Sequence, residues 1–302
     1  MKKILVIGST VVDMIINVDK LPTTKGDIHI KGQKASMGGC AYNVADTISN
    51  YGVPNILFSP VGSGIYGDFV RSGLRKKGLI SPIPPVDMEN GCCYCFVEES
   101  GERTFISYHG AEYLIYKEWL DEIDTREIDS VYICGLEIEE KTGGEIVSFL
   151  EEHKNLTVFF APGPRILKIN EGLLDRLYRL NPIIHLNFDE ITACTGAKDL
   201  RQATQMLYEK SHNTVIVTLG EDGAAWYDGM QMHICPGQKA ENVVDTIGAG
   251  DSHVGAVMAE LYMGSTMKQA ITNANKVARA VVSTEGALLS RRQLEQALKG
   301  KG

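Results

Sequence analysis

Val244-Asp245-Thr246-Ile247-Gly248-Ala249-Gly250-Asp251-Ser252 is the stretch that decides how this chain folds and works. It sets an acid, Asp251, directly after a Gly-Ala-Gly turn and just ahead of an apolar, helical pattern over 253–262. Backbone N–H groups at a helix start have no intrahelical acceptor and favour an anion in front of them. Glycine lets that backbone approach a ligand closely. An acid beside such an anion hole is electrostatically unfavourable, unless it takes a proton from a nucleophile attacking the bound anion. The pairing points to phosphoryl transfer: N–H groups of Gly248, Ala249 and Gly250 stabilise the migrating group and Asp251 acts as general base. Taken alone, the same residues also describe an ordinary glycine turn capped by an aspartate.

Upstream, short continuous apolar runs recur at 3–7, 55–61, 130–134, 157–161, 183–186 and 214–218. Helical patterns lie between several of them, at 41–51, 68–77, 142–152, 171–179 and 200–211. This alternation predicts an α/β fold, a mainly parallel central sheet flanked by helices on both faces. After Asp251 the pattern is helical to the end apart from a break at Gly286. Two stretches depart from the alternation. Residues 27–37 read as strand-like with no crossover, and 92–108 read as a hairpin turning at Glu99-Ser100-Gly101-Glu102. They are expected to pair into a small β-sheet lid over one end of the main sheet. The expected organisation is one domain over 1–302 with lid segments at about 11–37 and 91–109 inserted in it. Open lid edges are often covered by a second copy, so a homodimer through the lid is expected.

The formal net charge of −8 argues against nucleic acid or an anionic membrane as partner. No apolar run has the length of a membrane span. Lys2-Lys3 before Ile4-Leu5-Val6-Ile7 resembles a signal peptide, but the run stops at Gly8 and reads as a first buried strand. Seven scattered cysteines, an odd number, fit a reducing cytoplasm better than a disulfide framework.

Other motifs carry weaker chemistry. Gly38 and Gly39 stand before a helix that bears Asn43, a side chain with both a donor and an acceptor. Asp13 follows the first strand, at the end of a parallel sheet where ligands usually bind. It can accept from two hydroxyls of a polyol, or be a solvated loop acid. Asn187 and Glu190 share a face at a helix start and can organise hydrated Mg2+, or merely cap the helix. Thr218, Gly220 and Gly223 close a strand and can contact nucleotide phosphates or form a hairpin turn. Gly62-Ser63-Gly64-Ile65-Tyr66-Gly67 matches a dinucleotide-binding pattern, but Pro82, Pro84 and Pro85 keep Asp87 from a strand end. Cys92 and Cys95 form a lone pair in a strand-like run and read as packing, and His253 reads as part of a helix. There is no Walker A pattern.

Together these motifs, in this order along nearly the whole chain, resemble the ribokinase-like carbohydrate kinases of the PfkB family. The resemblance implies a ribokinase-like fold and an ATP-dependent, Mg2+-requiring kinase that phosphorylates a primary hydroxyl of a small sugar or sugar derivative. It implies Asp13, Gly38, Gly39 and Asn43 at the substrate, with Glu137 as a further sugar-contacting acid. It implies Asn187, Thr218, Gly220, Gly223 and Asn275 at ATP, and Asn187 and Glu190 at Mg2+ through water. Members can also bind a monovalent cation such as K+ near Asp245, Ile247 and the Gly286 loop, where Glu285 and Ser290 lie. Val11 and Cys40 replace the Asn and Lys that contact the sugar in ribokinase, which disfavours ribose. A nucleoside kinase of the same superfamily is the nearest alternative, with Tyr42, Phe96, Tyr108 and Tyr113 available as a wall for a base. More distant alternatives are a nicotinamide-dependent dehydrogenase using the Gly62 loop and a non-catalytic sugar-binding protein.

Overall fold

Two sheets divide the chain in the computed structural model, which describes residues 2–284 and 286–300. In chain order the strands are β1 (Lys3–Ile7), β2 (Val11–Val18), β3 (Gly32–Gly38), β4 (Asn55–Phe58), β5 (Cys92–Glu98), β6 (Arg103–Tyr108), β7 (Ile128–Cys134), β8 (Thr157–Ala161), β9 (Ile183–Asn187), β10 (Val215–Thr218), β11 (Gly223–Tyr227) and β12 (Met232–Pro236). The eight-stranded sheet runs β12-β11-β10-β9-β8-β7-β1-β4. It is parallel from β10 to β4, with β11 and β12 antiparallel at one edge. The mainly parallel α/β sheet expected from the alternation is the one observed, with helices on both faces.

Strand β1 shows why. Ile4 and Val6 face the helices Cys40–Asn50, Ala249–Tyr262 and Met267–Val282, whereas Leu5 and Ile7 face the layer that contains helix Gly143–Glu152. Successive side chains alternate between faces, so a strand between two helix layers must be apolar throughout. Each such Leu or Ile contributes about 1.5–3 kcal/mol on burial. Among the described residues, no helix is long and apolar enough to cross a membrane.

The second sheet runs β3-β2-β5-β6, rising from the C-terminal end of β1. The hairpin at 92–108 is there, with its turn over 99–102. The strand expected over 27–37 begins only at Gly32. Asp13 lies within β2, not in a loop, because the stretch Val11–Val18 pairs with both β3 and β5. Pairing aligns Asp13, Ser36, Cys93 and Ser107 in one cross-strand row, and Ile15, Lys34, Cys95 and Phe105 in the next. Both rows are on the face toward the substrate-sized cavity described below. Beyond Asp251 the helix breaks at 263–266, where Gly264 has φ +90° and Thr266 with Gln269 forms a capping box for Met267–Val282.

The Gly62 loop holds no room for a dinucleotide. Ser63 N–H donates to Met88 O (2.7 Å), Asn90 N–H to Ser63 O (3.1 Å), and Gly62 N–H to Asn90 Oδ1 (3.0 Å). The segment 88–90 therefore covers the start of helix Gly64–Lys77. Cys92 and Cys95 fall on opposite faces of β5, and both are free thiols.

The lid hairpin is clamped at its root by buried Glu112. Its Oε2 accepts from Gly91 N–H (2.8 Å) before β5, and its Oε1 from Gly110 N–H (3.0 Å) after β6. Glu112→Ala leaves two buried N–H groups without acceptors and should cost on the order of 2–4 kcal/mol. Urea unfolding of the variant checks this; a loss below about 1 kcal/mol would show that the clamp is not needed.

Candidate active site

Helix Ala249–Tyr262 starts at Gly248 in the left-handed region (φ +74°). A Cβ there would stand 2.6 Å from the Ala287 Cβ, so the turn both needs and tolerates only glycine. Ser252 N–H already bonds Gly248 O (2.8 Å), and Ala249 N–H makes a long bond of 3.4 Å to Thr246 O. Gly250 N–H precedes any intrahelical acceptor, and the space beside Gly250 is open.

Asp251 stands on this first turn. Asn43 Nδ2 donates to its Oδ2 (2.9 Å), which ties the Ala249–Tyr262 helix to the Cys40–Asn50 helix. Burial pushes the Asp251 pKa up to about 6; Asn43 and the Cys40 thiol pull it down, while Glu137 and Glu190 push it up. Asp13 is also raised to about 6, by burial first and then by the charge of Asp251. Gly38 lies against the Asp13 carboxylate, where any side chain would overlap Asp13 Oδ2. Gly39 (φ +101°) packs on Ser9 O, which a Cβ would approach to 2.6 Å. The paired glycines thus make room for the acid and let the next helix begin beside it.

Three cavities run end to end through this region. One, of about 350 Å3, is lined by Thr218, Gly220, Gly223, Asn275, Ala249 and Gly250. The second, of about 330 Å3, holds Asn187, Glu190, Arg165, His185, Gly250 and Asp251. The third, of about 760 Å3 beneath the lid, holds Asp13, Gly39, Asn43, Asp245, Ile247 and Asp251. Thr218 and Gly250 border both the first and the second. Cys40, Arg165 and Asp251 border both the second and the third.

The middle cavity fits a hydrated divalent ion. Asn187 and Glu190 do form a capping box: Asn187 N–H donates to Glu190 Oε2 (2.9 Å), and Glu190 N–H to Asn187 Oδ1 (2.8 Å). That leaves Glu190 Oε1 at the cavity, 3.8 Å from where a Gly163 side chain would begin. Burial raises the Glu190 pKa, and the Asn187 N–H opposes the rise. A half-buried carboxylate with one oxygen on the cavity suits Mg2+, which keeps several waters.

At the position expected for a monovalent cation, protein groups already occupy part of the donor set. Asp245 Oδ1 already takes Arg103 Nη1 at 2.6 Å and Ile247 N–H at 2.8 Å. The Ser290 hydroxyl is committed to a capping box with Gln293 on helix Arg291–Leu298. Glu285 lies outside the described residues.

Glu137 does not reach the substrate-sized cavity. It is 1% exposed, with Oε1 accepting from Ser9 N–H (2.7 Å) and Oε2 from the Cys134 thiol (2.6 Å). Burial raises its pKa, and those donors oppose the rise. Its place is to tie the ends of β1 and β7 together. Of the four aromatic residues weighed as a base-binding wall, Tyr42 and Tyr113 line this cavity, whereas Phe96 and Tyr108 lie on the other face of the lid.

Other residues gain a place that sequence spacing did not give them. Asn275 Nδ2 donates to Cys235 O (3.0 Å), which makes Asn275 Oδ1 the acceptor for His253 Nε2 (3.1 Å). His253 Nδ1 is then left to accept from His185 Nε2 (2.8 Å). Burial lowers both imidazoles, His253 to about 4 and His185 well below its ordinary value, so the relay is neutral. Arg165, paired with Glu139 at 2.9 Å, places a cation at the border of the second and third cavities. Its only sequence signal is a basic residue just after a strand-ending Pro-Gly-Pro.

Comparison with known proteins assigns the family. The pfkB family carbohydrate kinase profile matches residues 1–293. The sugar kinase YegV of Escherichia coli is 34% identical over 289 residues, covering 94% of this chain and 90% of YegV. Among solved structures, ribokinase from Thermotoga maritima superposes with a TM-score of 0.86 at 24% identity, covering 99% of this chain and 100% of the other. The nucleoside kinase of Burkholderia thailandensis, solved with inosine, gives a TM-score of 0.80 at 18% identity, covering 98% and 96%. The profile match over nearly the whole length and the likeness to YegV place this chain in the pfkB family of carbohydrate kinases.

Proposed function

We propose that the protein transfers the γ-phosphoryl group of ATP to a primary hydroxyl of a sugar or sugar derivative, with Asp251 as general base. The observation that carries this is the run of three joined cavities, with Gly250 at one junction and Asp251 at the other. ATP lies in the first cavity with its adenine end at Asn275 and its phosphates toward Gly250. The acceptor lies under the lid, its hydroxyls on Asp13 and Asn43. Asp251 takes the proton of the primary hydroxyl, the oxygen attacks the γ-phosphorus, and the bond to the ADP oxygen breaks. The Gly248, Ala249 and Gly250 N–H groups receive the charge on the transferring group. Asn187 and Glu190 would hold Mg2+ through water, and the ion would supply charge neutralisation on the phosphate oxygens. Arg165, at the border of the second and third cavities, is placed to do the same from the protein side.

A nucleoside is the second reading, and two observations favour it. The cavity under the lid, about 760 Å3, is large for a monosaccharide. His109 and Tyr113 stack at 3.9 Å on its wall, offering an aromatic surface to a base. Polar groups suited to hydroxyls, Asp13 and Asn43, support the sugar.

Asp251→Asn should lower kcat by roughly 100- to 10,000-fold while ATP affinity stays near wild type. Unchanged turnover would take Asp251 out of the mechanism. The wild-type rate should also fall on acidification. The proton-accepting carboxylate exists above its pKa of about 6 and is lost below it, so kcat/KM should rise with pH through about 6. A flat profile between pH 5 and 7 would contradict that pKa.

Glu190→Gln should raise the Mg2+ concentration for half-maximal rate, leaving the sugar KM nearly unchanged. A shifted sugar KM with unaltered Mg2+ dependence would move Glu190 to the acceptor site.

ADP release compared across hexoses, pentoses and nucleosides decides the acceptor. Sugars should give the higher kcat/KM, and Asp13→Ala should reduce it severely with a weaker effect on ATP affinity, because buried polar groups left unpaired reject the substrate. A tenfold preference for nucleosides would overturn the sugar assignment and leave the phosphotransfer intact.

A further inference from the structure

Arg103 opens β6 on the lid, and β5–β6 pairing sets it on the same face as Phe105 and Ser107, toward the cavity. Its Nη1 reaches Asp245 Oδ1 at 2.6 Å, across 142 residues of sequence. Asp245 is nearly buried, with its side chain 10% exposed. The same Oδ1 accepts from Ile247 N–H (2.8 Å), and the backbone N–H groups of Val244 and Asp245 both donate to Val282 O. Asp245 therefore shapes the turn that delivers Gly248 and Gly250, and a carboxylate this buried needs a compensating charge. The lid supplies it.

A free alkali-metal ion placed on the Asp245 carboxylate would lie beside the guanidinium already held on Oδ1, and the like charges would repel. We propose that Arg103 is a tethered cation that holds Asp245 and the 245–250 turn, so that phosphoryl transfer in this chain needs no bound alkali-metal ion. The proposal rests on the reading that the Gly248–Gly250 amides receive the phosphoryl group. Because the cation is carried by the lid, the turn is fully set only when the lid is seated over the cavity. Arg103 is a positioning residue: it acts through Asp245, and its effect should appear in kcat more than in the acceptor KM.

The test compares KCl with choline chloride at equal ionic strength, for the wild type, Arg103→Ala and Arg103→Lys. Wild-type kcat should agree within about twofold in the two salts, and its Tm should not respond to K+. In choline, Arg103→Ala should lose about 10- to 100-fold in kcat, less than the loss of an anion-hole donor outright. Added K+ should restore part of that loss and raise the variant's Tm by about 2–4 °C over choline. Arg103→Lys keeps a point charge without the planar fork, so it should lose less and stay insensitive to K+. Saturable K+ activation of the wild type above about fivefold would overturn the proposal, as would an alanine variant with wild-type kcat in choline and no K+ response in Tm. If the alanine variant does not fold, the wild-type and lysine arms still decide. The melting shifts are read without turnover, so they separate this proposal from the assignment of Asp251, which fails only if Asp251→Asn stays active.

Discussion

Several carboxylates are held within reach of one helix N-terminus, and the structure is organised around keeping them there. The open N–H groups at Gly248–Gly250 attract negative charge. Asp251 sits on the same turn, Asp13 feels its charge, and Glu137 and Glu190 both raise its pKa. Left alone, so many acids would repel one another and the anion meant to bind between them. Each is managed differently. Glu137 is sealed against Ser9 N–H and the Cys134 thiol, Glu190 is folded into a capping box, and Asp251 is tied to Asn43. Asp245 is matched by Arg103 from the lid.

This arrangement connects the two sheets. The main sheet brings Asn187 and Thr218 to its C-terminal edge, because the parallel strands β9 and β10 end in register there. The lid contributes Asp13 and Arg103 from strands separated by most of a hundred residues. Glu112 fixes the lid's root and Arg103 touches the turn at its far side, so the lid is attached at both ends of the cavity it covers. The His185–His253–Asn275 relay does a comparable task beside the cavity lined by Thr218 and Asn275. Neutral imidazoles fix one side-chain amide without adding another charge.

Much of the fold was legible because it follows from local rules. Continuous apolar runs bounded by turns could only be strands buried on both faces, and β1, β7, β8, β9 and β10 lie where those runs predicted. Strand β2 was harder to read. It follows β1 after a gap of only three residues and does not alternate, so Asp13 reads as a loop acid until β3 and β5 are seen to pair on either side. The break at 263–266 was lost for a similar reason, since one glycine inside an otherwise helical pattern does not by itself end a helix.

The sequence by itself determined the order of apolar runs, and with it the layered α/β fold. It also determined the Gly-Ala-Gly-Asp turn, whose chemistry is carried by adjacent backbone. It placed Asn43, Asn187, Glu190 and Thr218 as candidates, since each stands beside a helix or strand end that spacing can locate, whereas Asn275, in mid-helix, came only from the family resemblance. Only the tertiary structure decided which acids face the cavity and which are sealed away. Glu137 and Asp13 are both acids that follow a main-sheet strand by a few residues, yet one is spent on Ser9 and Cys134 while the other lies on the cavity. Only the structure could bring Arg103 to Asp245 or His185 to His253. The physical reason is range: apolar periodicity and turn chemistry act within a few residues along the chain, whereas charge pairing acts within a few ångströms of space.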